Sequence, residues 1–192
     1  MISEVMFNPV GGFFGNDDGL EWVELYNDQA APVNLDLYTL AWGGADYTTD
    51  TMSLAGAGML FPGQYIVIGD SAGTNTGPGA AFNFNPDLPD GFITAGGVAL
   101  FLGADTSGTP LDAVIYGTIF AVNLNNLIDE TGAVGAVDAT TGGAAESVER
   151  QTGGTWAPSA APTPGAGTLV PEPSTALLAS FGLLLLGVRR RA

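Results

Sequence analysis

Cysteine, histidine and lysine are all missing from this 192-residue chain. Without cysteine there are no disulfides, thiolate metal sites or thiol nucleophiles. Without histidine the commonest general base and the commonest zinc ligand are gone. Without lysine, Schiff-base chemistry and the phosphate-loop lysine are excluded. The four basic residues are Arg150, Arg189, Arg190 and Arg191. Residues 1–170 therefore set 19 carboxylates against one arginine, a net charge of −18. Such a body repels nucleic acid and anionic membrane surfaces. Charged residues make up only 12% of the chain and hydrophobic ones 46%. That apolar content separates it from acidic disordered chains, which lack the residues to collapse. No long amphipathic stretch occurs before residue 169, so a helical bundle is not expected.

What is present is turn chemistry and short apolar runs. The 29 glycines and 12 prolines suit many turns between strands. Strands are expected at Ile2–Phe7, Glu21–Asn27, Leu35–Ala41, Gln64–Ile68, Val98–Leu102, Leu111–Tyr116 and Glu146–Gln151. Asn8-Pro9, Gly43-Gly44, Pro62-Gly63, Gly96-Gly97 and Thr109-Pro110 separate them, each a turn signal. This pattern predicts an all-β domain over residues 1–168, arranged as a two-sheet β-sandwich. Residues 70–95 and 118–145 read as long connections, the second with a short helical turn around Asn123–Asp129.

Residues 169–192 have a different character. Pro171-Glu172-Pro173 precedes an apolar run, Thr175–Val188, that includes Leu177, Leu178, Phe181, Leu183, Leu184, Leu185, Leu186 and Val188. Arg189, Arg190 and Arg191 follow directly. As a single short hydrophobic helix the 14-residue run measures roughly 21 Å. That is less than a hydrocarbon core of about 30 Å, so snorkelling arginines or a thinned bilayer would complete the span. The positive-inside rule places the arginines in the cytoplasm and the acidic body outside.

The motif, apolar run and basic end, in that order, resemble a PEP-CTERM sorting signal. The resemblance implies a Gram-negative bacterium and export across its inner membrane. It also implies processing near the motif by an exosortase, a membrane transpeptidase, and association with extracellular polysaccharide and biofilm. The apolar tail is then a transient inner-membrane anchor, and the product is cell-surface or extracellular. Exported chains begin with a basic region and an apolar run. Met1–Phe7 reads as a strand instead, so an export segment upstream of Met1 is expected.

The body carries a second likeness. Ile2–Pro9, Glu21–Asn27 and Phe61–Tyr65, then Ser147–Arg150, Trp156 and Pro162–Gly165, occur in the order found in a lamin-tail domain. The set is similar to that family over roughly residues 1–167. It implies an immunoglobulin-like sandwich acting as an extracellular interaction module, with no catalytic residues to carry over.

Arg150, the lone cation of the body, is expected to pair with a carboxylate of the Glu21–Glu24 strand, because a partly buried guanidinium requires a partner. Its functional alternative is capture of an anionic ligand. Trp22, Trp42 and Trp156 read as packing residues, with a sugar-stacking platform as the alternative, strongest at Trp42 beside Gly43-Gly44. Asn16, Asp17, Asp18 and Glu21 form the densest oxygen cluster and are the candidate calcium ligands. The calcium-loop spacing fails there, since its first and last positions fall on Phe14 and Leu25; an acidic turn explains the same residues. Glu21 and Glu24 lie three apart on a strand and project to opposite faces, so they cannot form a hydrolase pair. The sequence thus predicts a non-enzymatic exported protein with a structural or adhesive body. Its alternatives are a calcium- or carbohydrate-binding adhesion module and a carboxylate-pair hydrolase.

Overall fold

The computed structural model describes residues 1–9, 20–48, 50–69, 76–78, 87–142, 145–167 and 169. The motif, apolar run and basic end of the C-terminal segment lie outside them, as do Asn16, Asp17 and Asp18. Among the described residues no helix is long and apolar enough to cross a membrane.

The strands are β1 (Ile2–Met6), β2 (Trp22–Tyr26), β3 (Val33–Asn34), β4 (Tyr38–Gly43), β5 (Asp50–Ser53), β6 (Met59–Leu60), β7 (Tyr65–Gly69), β8 (Gly96–Leu102), β9 (Asp112–Thr118), β10 (Ala139–Thr141), β11 (Ser147–Arg150) and β12 (Trp156–Ser159). Each expected strand overlaps one of these. Leu35–Ala41 is the exception in detail. Its first three residues form a 3-10 turn, because the Asn34 side chain accepts from the Asp36 N–H and caps the turn. The helical turn expected near Asn123–Asp129 is absent and is corrected to irregular chain. Asn123 bonds the carbonyls of Leu127 and Gly135 and accepts from the Leu127 N–H. Its amide thus takes bonds that a helical backbone would have made itself.

The strands form two five-stranded sheets, β12-β11-β1-β2-β7 and β10-β9-β8-β4-β5, with β3 and β6 as a separate pair. Alternation sends Val23, Leu25, Ile66, Ile68 and Val148 of the first sheet to the same core as Leu40, Trp42, Val98, Leu100 and Val114 of the second. Phe7 and Tyr116 stack across this core with ring centroids 4.2 Å apart. Every sheet pairing is antiparallel except β9–β10, whose parallel register requires a crossover. That crossover, residues 119–138, returns over the outer face of the second sheet.

The two outer faces are furnished differently. On the second sheet Ala41, Ala99 and Ala113 stand side by side across β4, β8 and β9. These small residues leave room for Tyr47 and Leu127, which complete a second apolar cluster with Phe101 and Ile115. At Gly97 a Cβ would come within 2.7 Å of the Tyr47 hydroxyl. On the first sheet the corresponding row is Glu149, Glu4 and Glu24 across β11, β1 and β2.

Candidate functional site

Arg150 ends β11 on the core-facing side. Its Nε donates to the Ile2 carbonyl, its Nη2 to Asp112, and its guanidinium lies 4.7 Å from the centre of the Trp156 ring. The ion pair is with Asp112 of β9 in the facing sheet, which corrects the expected partners Glu21 and Glu24. Two placements explain the difference. Glu24 projects from the outer face, away from the guanidinium. Glu21 precedes the opposite end of β2, since Ile2, beside Arg150, is paired with Leu25. Both partners are nearly covered, at 13% and 11% side-chain exposure. Burial raises the Asp112 carboxyl above its ordinary value; Arg150 and the Ile2 N–H pull it back down.

The pair forms one wall of a cavity of about 510 Å³ at this end of the two layers. Leu25, Leu35, Leu60 and Leu100 give it an apolar floor, and Asp28 and Glu130 stand at its mouth. An apolar floor with one charged wall suits a small ligand with a single polar end. At the other end the 91–95 and 118–124 loops expose Ile93, Ile119, Phe120, Val122 and Leu124.

Glu21 is buried and its Oε2 accepts from the Leu88 N–H at 2.9 Å. Of the candidate calcium ligands it is the one within the described residues, and its carboxylate is turned inward. Among those residues no group of three acids is placed to hold a metal ion. Trp22 packs with Met6 and Val67 on the outer face of the first sheet. Trp42 belongs to the shared core, which leaves it no open face for a sugar ring.

The Glu4–Glu24 pair was not anticipated. The Glu4 carboxylate accepts from the Ser147 hydroxyl and from the Thr163 N–H at 3.2 Å. The Glu24 carboxylate accepts from the Ser3 hydroxyl at 2.7 Å and the Gly165 N–H at 2.7 Å. Both residues are 0% exposed. Burial raises both carboxyls, Glu24 to about 7, despite the hydrogen bonds that lower them. Next to the row the Tyr65 hydroxyl donates to the carbonyls of Gly167 and Leu169. The chain leaving β12 is thus strapped over the row, and no open cleft separates these two acids.

The signal for Asp112 and Glu4 was in the sequence: each acid interrupts an apolar strand run, Leu111–Tyr116 and Ile2–Phe7. A carboxylate there needs donors or a cation. No family model, curated protein or solved structure matches the chain.

Proposed function

We propose that this chain is a non-enzymatic exported protein: a lamin-tail-like, immunoglobulin-like sandwich that serves a structural or adhesive role outside the cell. Its C-terminal segment, residues 169–192, is a PEP-CTERM-like sorting signal read by an exosortase. The apolar run Thr175–Val188 holds the chain in the inner membrane until processing, and the product is displayed at the cell surface or in the polysaccharide matrix.

The observation that carries this reading is the order along the chain. The strap over the acidic all-β body ends at Leu169, held by Tyr65, and Pro171 follows after one intervening residue. A compact anionic body is thus joined without a linker to a motif, an apolar run and a basic end. Expression of the full chain behind an added export signal, in a Gram-negative host with and without an exosortase, tests it, with mass spectrometry of the exported C-terminus. Loss of the residues after the motif, only when the enzyme is present, is the expected result. Exported material that all retains Arg189–Ala192 would overturn it.

A second reading, a ligand-binding adhesion module, is favoured by the end cavity with its Arg150–Asp112 wall. Calorimetric titration with calcium and with neutral oligosaccharides tests it; absence of heat at millimolar ligand removes it.

A further inference from the structure

Residues 162–167 and Leu169 cross the outer face of the first sheet, yet they are not a strand of it. Among the described residues the segment's backbone-to-backbone bond is internal, Ala166 N–H to the Thr163 carbonyl at 3.0 Å. Its hold on the sheet comes from side chains: Glu4 to Thr163, Glu24 to Gly165, and Tyr65 to Gly167 and Leu169. Pro164, Gly165 and Ala166 in its middle are exposed, and Pro162, Thr163, Gly167 and Leu169 are only half-buried. A segment held this way opens locally, at a free energy far below that of unfolding the sheets. Its fit is nevertheless specific. Gly165 has φ +81°, and a Cβ at Gly167 would meet Tyr65 at 2.9 Å and Glu24 at 3.0 Å.

We propose that the outer face of the first sheet is a docking surface for the chain's own residues 162–167 and Leu169, and that undocking governs enzyme access to the chain that follows. The identity of that enzyme rests on the reading above; the docking itself does not. An enzyme that cleaves a peptide seats several residues in extended form on both sides of the cut. On the N-terminal side of Pro171 those include Gly167 and Leu169, whose carbonyls Tyr65 occupies. Docked, the last held residue stands two positions from Pro171, a reach of about 7 Å; undocked, the free chain runs from Ser159, about 40 Å at full extension. Undocking therefore supplies both an extended substrate and the slack to reach a membrane-embedded site.

The test uses the full chain in detergent micelles. Gly165→Pro removes the N–H given to Glu24 and imposes a negative φ. Tyr65→Phe keeps the ring and removes the hydroxyl. Loss of one such hydrogen bond converts to about a tenfold rise in the open population. Hydrogen exchange at Thr163 and Ala166, and cleavage within residues 160–170 by a broad-specificity protease, should each rise by about that factor in both variants. The melting transition of the sheets should change little. The proposal is overturned if both variants are cut no faster than the parent chain. It is equally overturned if the parent is cut as fast as a synthetic peptide of residues 157–174. Because the protease is supplied, this result stands whether or not an exosortase processes the tail.

Discussion

Arg150 and Glu24 show two ways of handling a charge in a protein without lysine. Arg150 is paired, and its partner Asp112 would be stranded by its removal. Truncation of one member of a buried pair costs about 3–5 kcal/mol, whereas joint replacement by apolar residues is often neutral. Arg150→Met should therefore lower thermal stability sharply, and Arg150→Met combined with Asp112→Leu should recover much of the loss. Calorimetric melting of the three proteins measures both. Among the described residues Glu24 has no cation beside it and is held by a hydroxyl and an N–H instead. Its carboxyl is raised by burial to about 7, so folding favours its protonated form. The resulting stability is complete below the unfolded value, near 4.3, and is lost as pH rises through about 7. The parent chain should melt at progressively lower temperature from pH 5.5 to 8 at fixed ionic strength. Glu24→Gln, which keeps one acceptor and cannot ionise, should flatten that slope; an equal slope in both would refute the assignment.

At the level of strands and loops, each sheet is covered on its outer side by non-sheet chain. The alanine row on β4, β8 and β9 matters because nothing larger fits beneath Tyr47 and Leu127. Ala99 is 0% exposed, and Ala99→Leu should cost about 1–3 kcal/mol by overpacking, read as a lowered denaturation midpoint with an unchanged slope. Gly117 presents a harder limit. A Cβ there would lie 2.3 Å from Ala121 Cβ and 2.3 Å from the Gly91 carbonyl oxygen, so Gly117→Ala should loosen the 91–95 and 118–122 loops together. The long strands were legible because their apolar and β-branched runs are bounded by turn residues. The short ones were not. Val33–Asn34 and Met59–Leu60 are two residues each, and a two-residue run carries no period. Asp50–Ser53 is an edge strand with little burial, so composition gave no sign of it. The Arg150 partner was misread for a different reason. Sequence proximity to a strand says nothing of which face a neighbour shows, and Asp112 comes from the facing sheet.

For the molecule as a whole, the net charge of −18 on residues 1–170 is a standing self-repulsion. Monovalent salt screens it, with a Debye length of about 10 Å at 0.1 M. Melting temperature should therefore climb between 10 and 300 mM sodium chloride and then level off, as followed by circular dichroism. A fall over that range would mean that attractive surface pairs outweigh the excess negative charge.

The strap has a mechanical side. A pull on the C-terminal end loads Tyr65, then Glu24, then Glu4, one attachment after another, before any tension reaches the β11–β12 ladder. Such a sequence yields at low force and lengthens as it yields. A molecule moored by this end would meet a sudden tug with a short elastic give, while its two layers stayed whole.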